Sequence, residues 1–220
     1  MKIKAAVFDM DGTLIDSLML WDITWETFGA RYLNGKKFIP RPEDDKRFRT
    51  LTLAESMDLL HSKYGLGKNG SELLDIANEL TLNFYQNEVK LKPGALEFLS
   101  YCKANGTKMC IASATAPHLI DAAVEHCGIK KYFEDILSCA DIGKGKEEPD
   151  VFLLACKALG QAPSETWLFE DSLTAIETAT RIGMKTVGVY DAYNFGQECI
   201  KKTADVYIAK GESLAKLIDR

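Results

Sequence analysis

From Lys92 onward the chain alternates short apolar runs with amphipathic stretches of helical length, and this alternation restricts the possible fold more than any other feature. Pro93-Gly94 opens a helix that runs through Ala104 and is stopped by Asn105-Gly106. Lys108 to Ala112 reads as a strand, Pro117 to Cys127 as a helix closed by Gly128, and Asp135 to Ser138 as a weak strand. Asp150 to Leu159 is a helix ending at Gly160, Thr166 to Phe169 a strand, Ser172 to Ile182 a helix ending at Gly183, and Lys185 to Val189 a strand. Val206 to Ala209 is expected as a last short strand, followed by a helix to the end. Strands and helices in this order predict an α/β fold, a Rossmann-like parallel sheet core with helices on both faces. Ligands of such sheets lie outside the carboxyl ends of the strands, near the point where strand order reverses. Polar residues directly after apolar runs are therefore the ones to inspect.

The first run is Ala5-Ala6-Val7-Phe8, short and apolar as a strand buried on both faces should be. It leads straight into Asp9 and Asp11, with Gly12 allowing a sharp turn and Thr13 able to hydrogen-bond within it. Burying two like charges at a strand end costs several kcal/mol, roughly 2 or more even for one poorly paired group. A hard divalent cation such as Mg²⁺, which takes carboxylate oxygens, is the simplest neutraliser.

Between residues 18 and 89 strand-like runs disappear. Leu20, Trp21, Ile23, Thr24, Trp25, Phe28 and Tyr32 recur at helical spacing. Phe38 to Phe48, with Pro40 and Pro42, reads as a polar connection. Thr52 to Tyr64 is a second amphipathic stretch, with Thr52 and Glu55 spaced for a capping box and Gly65 as its stop. Ser71 to Tyr85 is a third, with Ser71 as the expected N-cap. The expected division is an α/β core of residues 1–15 and 90–220 with a small helical domain of residues 16–89 inserted into it.

Composition narrows the function classes. A net charge of −5 argues against a nucleic-acid-binding surface. The six cysteines form no C-x-x-C pair and read as buried free thiols in a reducing cytosol. The apolar stretch at the N-terminus is too short for a signal peptide, and no run approaches the ~20 apolar residues of a membrane helix. A cytoplasmic monomer is the expectation.

Further polar signals follow the later apolar runs. Ser113 comes directly after Ala112; alone it reads as an ordinary helix N-cap, and by position it suits a phosphate oxygen. Lys144 and Lys146 both lie on the charged loop Gly143 to Asp150. Glu170 and Asp171 follow Trp167-Leu168-Phe169, where Asp171 or Ser172 could equally cap a helix.

Asp9-Met10-Asp11-Gly12-Thr13 after an N-terminal apolar strand resembles the first motif of the haloacid dehalogenase superfamily of phosphatases and phosphomutases. Ser113 resembles its second motif, and Lys146, four before Asp150, its third, usually K-P-x-P-D, although Glu147 stands where the proline is usual. Asp171 resembles the fourth-motif metal ligand. The resemblance implies that Asp9 is the nucleophile and forms an aspartyl-phosphate. It implies that Asp11 is the general acid/base and that Lys146 neutralises phosphate and Asp9 together. Mg²⁺ would be held by Asp9, Asp11 and Asp171, with Glu170 binding directly or through water. Gly12, Ser113, Ala114 and Lys146 would surround the phosphate, and the inserted helices would be a cap that closes over the site and expels water.

Phe169-Glu170-Asp171-Ser172 resembles the branch that holds β-phosphoglucomutase and sugar-phosphate phosphatases. Mutases of that branch carry a cap histidine where this chain has Trp21, and a G-x-x-R stretch where it has Thr50 and Leu53. Arg49 remains available for an anionic substrate, with Trp21 as a further contact. These departures favour a phosphatase of a small phosphorylated metabolite over a mutase, and the presence of Asp9, Asp11, Lys146 and Asp171 argues against a non-catalytic phosphate-binding protein.

Overall fold

The structure is a computed structural model that describes residues 3–49 and 51–218. Thr50, matched above to a family glycine, and the last residues of the expected C-terminal helix lie outside the described residues. The chain forms two compact units: Met1–Leu18 with Val89–Arg220, and Met19–Glu88. In chain order the elements are β1 (Ala5–Phe8), β2 (Ile15–Asp16), α1 (Leu20–Tyr32), α2 (Pro42–Phe48), α3 (Leu53–Tyr64) and α4 (Gly70–Asn87). There follow β3 (Lys90–Leu91), α5 (Ala95–Ala104), β4 (Lys108–Ser113), α6 (Pro117–His126), β5 (Asp135–Ser138) and α7 (Cys139–Ile142). The last are α8 (Asp150–Leu159), β6 (Thr166–Glu170), α9 (Leu173–Arg181), β7 (Lys185–Val189), α10 (Gln197–Thr203) and β8 (Val206–Ile208).

In the first unit six strands form one parallel sheet in the order β5-β4-β1-β6-β7-β8, with helices on both faces. β1 lies between β4 and β6, with Phe8 opposite both Ile111 and Phe169. From β1 the chain builds outward through β4 and β5, then returns to the other side for β6, β7 and β8. The strand order thus reverses at β1, and its carboxyl end is the predicted ligand position. All four β1 residues are fully buried, as a strand covered on both faces requires. The Phe8 ring stacks on Phe169 at 4.5 Å and meets the edges of Phe98 and Phe133 at 6.2 and 6.1 Å. Truncating such a ring costs about 3–5 kcal/mol. This aromatic layer fixes the backbone one residue before Asp9.

β2 and β3 pair antiparallel where the chain leaves and re-enters this unit, Ile15 opposite Leu91. The expected final helix is, among the described residues, only a 3₁₀ turn at Leu214–Leu217, and α10 was not anticipated. Four cysteines are buried and Cys127 is half-buried, but Cys199 is exposed, contrary to the expectation of buried thiols throughout.

The second unit is helical. Trp25, Phe28, Phe38, Phe48, Met57, Leu60, Leu66, Leu73 and Ala77 form its core. The Trp25 ring packs against Phe38 and Phe48 at 5.8 and 5.6 Å, and its indole N–H donates to Asp45 at 3.0 Å. A Cβ on Gly29 would collide with the backbone of Lys36 and Phe38, so only glycine lets that segment lie against α1. The capping box of α3 is present: Glu55 N–H donates to Thr52 Oγ1 at 3.3 Å, and Thr52 N–H to Glu55 Oε2 at 2.9 Å. Two expectations are corrected. Residues 42–48 are helix rather than connection, because Pro42 suits a first helical turn and acids lead while bases trail. The N-cap of α4 is Asn69, which accepts from Glu72 N–H at 2.8 Å, and not Ser71. No helix among the described residues is long and apolar enough to cross a membrane.

Candidate active site at the sheet switch point

β1 delivers Asp9 to the switch point, where its N–H donates to Phe169 O at 2.9 Å. The following turn folds back tightly, with Leu14 and Ile15 N–H both donating to Met10 O, at 2.9 and 3.0 Å. Gly12 has φ +77, and a Cβ there would run into the Asp171 carboxylate and the Leu18 side chain. Only glycine permits this approach of the first loop to the end of β6. Beside it Thr13 Oγ1 donates to Asp171 Oδ1 at 3.1 Å.

Asp9, Glu170 and Asp171 bring carboxylate oxygens within 4.8 Å of one another, and all three side chains are buried. Lys146 reaches into this group from its loop, donating to Asp9 Oδ1 and, at 2.7 Å, to Glu170 Oε2. Burial opposes the charge on Lys146, but Asp9 and Glu170 outweigh it and hold the ammonium above its usual range. One ammonium does not balance three carboxylates. Burial, then Glu170, pushes the Asp9 carboxyl up to about 7 against the pull of Lys146. Burial, then Glu170 and Asp9, likewise raise Asp171 well above the ordinary carboxylate range. A buried, all-oxygen donor set with surplus negative charge fits a hard divalent cation.

The surrounding bonds assign each residue a place. Glu170 Oε1 accepts the N–H groups of Asp171 and Ser172 at 3.1 and 3.0 Å, while its other oxygen faces Lys146. Ser172 takes the N-cap position of α9 without a side-chain bond, so capping does not explain Asp171. Asp11, expected among the metal ligands, is not part of that three-carboxylate group. Ser17 donates to Oδ1 at 2.7 Å and Thr115 to Oδ2 at 2.8 Å. Ser113 ends β4, buried, and accepts Thr115 N–H at 3.1 Å. It does not cap α6, whose N-cap position belongs to Ala116. Ala114 is exposed on the same loop. Of the two loop lysines, Lys144 is exposed and pairs with Asp150 at 2.8 Å, leaving Lys146 as the one inside. Glu147, in place of a proline, is tied down through its carbonyl by Thr178 Oγ1 at 3.1 Å and Arg181 at 3.0 Å.

Residues that sequence reasoning did not single out complete the arrangement. Ser17 and Thr115 hold Asp11. Asn194, on the loop after β7, donates to Asp171 Oδ2 and to its carbonyl, both at 2.7 Å. Attention to polar residues beyond every strand end would have reached Asn194, because β7 closes at Val189.

Trp21 and Arg49 belong to the helical unit. Trp21 is half-buried against Trp25, ring centroids 5.3 Å apart. Arg49 donates to Asp45 at 3.0 Å and Asp22 at 3.3 Å, with its guanidinium carbon 5.9 Å from the Trp21 ring. Arg49 was expected as a substrate contact, and the described bonds give it a structural task.

The chain is 28% identical over 206 residues to protein CbbY of Rhodobacter capsulatus, covering 90% of both chains. It is 24% identical over 217 residues to the phosphorylated carbohydrates phosphatase of Thermotoga maritima, covering 98% of each. The crystal structure of a point mutant of CbbY from Rhodobacter sphaeroides in complex with xylulose-(1,5)bisphosphate superposes with a TM-score of 0.82 at 22% identity, covering 98% of this chain and 96% of that one. The family model for haloacid dehalogenase-like hydrolases matches residues 3–183, which take in β1, the Lys146 loop and the Glu170-Asp171 pair. By that match the chain belongs to the haloacid dehalogenase-like hydrolase family.

Proposed function

We propose that the protein is a Mg²⁺-dependent phosphatase that hydrolyses a small phosphorylated metabolite, a sugar phosphate, through an aspartyl-phosphate on Asp9. The observation that carries this reading is the placement of Asp9, buried at the switch point between Lys146 and the Glu170-Asp171 pair. Named relatives that act on phosphorylated carbohydrates support the substrate class. The helical unit is read as the substrate-selecting cap.

Asp9 attacks phosphorus with a carboxylate oxygen, and the bond from phosphorus to the substrate's alcohol oxygen breaks. Asp11 gives its proton to that oxygen, so the product leaves as a neutral alcohol. It then takes a proton from water as the water attacks phosphorus, which restores Asp9 and frees inorganic phosphate. Ser17 and Thr115 hold the Asp11 carboxylate for both transfers. Lys146 offsets the charge that builds up when an anionic nucleophile approaches an anionic phosphate. Ser113, Ala114 and Gly12 line the phosphate side. Mg²⁺, held by Asp9 and Asp171 with Glu170 directly or through water, would supply Lewis-acid neutralisation of phosphoryl oxygens.

A panel of phosphorylated metabolites assayed for phosphate release, with Mg²⁺ and with EDTA, tests the reading. Release from sugar phosphates that EDTA abolishes and Mg²⁺ restores is the expected result. Full activity in EDTA after exhaustive dialysis would refute the metal role, and no release from any substrate would refute the phosphatase.

A further inference from the structure

We propose that Asn194 is a positioning residue for the metal ligand Asp171, braced by the partly buried Lys92–Asp191 ion pair; this rests on the metal reading of the site given above. Asn194 Nδ2 donates at 2.7 Å to both the Asp171 Oδ2 and the Asp171 carbonyl. Its amide is oriented by Asn194 Oδ1, which accepts Phe195 N–H at 2.8 Å and so directs the nitrogen toward Asp171. Thr13 donates to the other carboxylate oxygen at 3.1 Å. Asp171 is therefore held at both oxygens, which fixes its torsion, and each oxygen keeps a further lone pair for a cation.

Both donors are neutral. A lysine or arginine at either place would orient the carboxylate but repel the metal. An amide and a hydroxyl orient it without adding positive charge.

The loop that carries Asn194 has its own anchor. Asp191, 2% exposed, accepts Lys92 Nζ at 2.5 Å and Tyr193 N–H at 2.7 Å. Its carbonyl accepts Gln197 Nε2 at 3.1 Å. Lys92 also donates to Tyr190 O at 3.1 Å, and its N–H donates to Leu14 O at 2.9 Å. A continuous set of bonds thus runs from the residue after β3, through Asp191, to the carboxylate of Asp171.

Calorimetric titration of Mg²⁺ into metal-stripped protein tests the assignment, comparing wild type with Asn194→Ala and Asn194→Leu. Removing an outer partner of a metal ligand typically weakens affinity by about tenfold or more. The expected result is folded variants that bind Mg²⁺ at least about threefold more weakly than wild type. A folded variant whose Kd for Mg²⁺ is unchanged overturns the proposal. Loss of fold in both variants overturns it too, because Asn194 would then hold the loop rather than the ligand. Wild-type protein that binds no Mg²⁺ sinks the metal reading of the site itself, an outcome distinct from failure of the variants.

Discussion

Thr115 donates its hydroxyl hydrogen bond to the carboxylate of Asp11 at 2.8 Å, joining the loop after β4 to the loop after β1 across 104 positions of sequence. A carboxyl that must give and then take a proton at one fixed point depends on such a tether. A positioned acid contributes about 10²–10⁴ in rate, and losing one of its orienting bonds should forfeit about tenfold of it. Thr115→Val is therefore expected to lower kcat by about tenfold on an alkyl phosphate. The loss should be smaller on p-nitrophenyl phosphate, whose phenolate leaves without a proton. Equal losses on both substrates would show that Thr115 acts otherwise than through Asp11.

Asp9→Asn should abolish turnover, because a neutral amide does not form the acyl-phosphate. Residual kcat above about a hundredth of wild type, a barrier difference below roughly 2.7 kcal/mol, would remove Asp9 as nucleophile. Beryllofluoride with Mg²⁺ should place its adduct on Asp9 of the wild-type protein.

The strand-end residues of the site that were legible in the sequence share one property. Ala5–Phe8, Lys108–Ser113 and Thr166–Glu170 are apolar runs that end in polar residues, so pattern alone located Asp9, Ser113, Glu170 and Asp171 at strand ends. Side-chain pairing between distant segments has no such pattern. Arg49 reads as an available cation until its bond to Asp22, 27 positions away, is seen. Thr115 and Asn194 are common loop residues whose partners, Asp11 and Asp171, become neighbours only when the sheet assembles. The helix at Pro42–Phe48 was missed because its prolines suggest a connection, whereas one of them occupies the first turn, where the missing N–H costs nothing. The choice between Lys144 and Lys146 depended on which way a loop folds, and spacing to Asp150 left it open.

Proton and metal should compete for Asp9. Its carboxyl is raised from 3.8 to about 7, first by burial. The folded metal-free protein therefore binds more protons than the unfolded chain between those values, and stability falls with rising pH in that window. The contribution is fully present below 3.8 and lost as pH rises through about 7. In EDTA, the Tm of Asp9→Asn relative to wild type should thus increase from about pH 5 to about pH 8, since the amide never ionises. Mg²⁺ should reverse the wild-type loss, with affinity rising up to about tenfold per pH unit below the carboxyl's midpoint and levelling above it. A Tm difference that does not change with pH would show that Asp9 is ionised throughout.

The last prediction separates hydrolysis from phosphoryl transfer between sugar hydroxyls, and it rests on Trp21, Arg49 and Leu53. A mutase must hold a second phosphate in turn, which needs a cationic partner, because placing an anion against apolar surface is costly. Leu53 and Trp21 are packed, partly buried, against the apolar core of the helical unit. Arg49 is bonded to Asp45 and Asp22, with only 10% of its side chain exposed. Arg49→Ala should accordingly lower the thermal stability of the protein and leave KM for a sugar phosphate nearly unchanged. A large rise in KM would instead return Arg49 to the substrate. With β-glucose 1-phosphate and a catalytic amount of glucose 1,6-bisphosphate, a mutase would make glucose 6-phosphate and release little phosphate. If this protein is the hydrolase proposed above and accepts the sugar phosphate, it is expected to release free sugar and inorganic phosphate in equal amounts. Glucose 6-phosphate forming faster than phosphate, in a coupled assay on the same sample, would overturn the hydrolytic assignment.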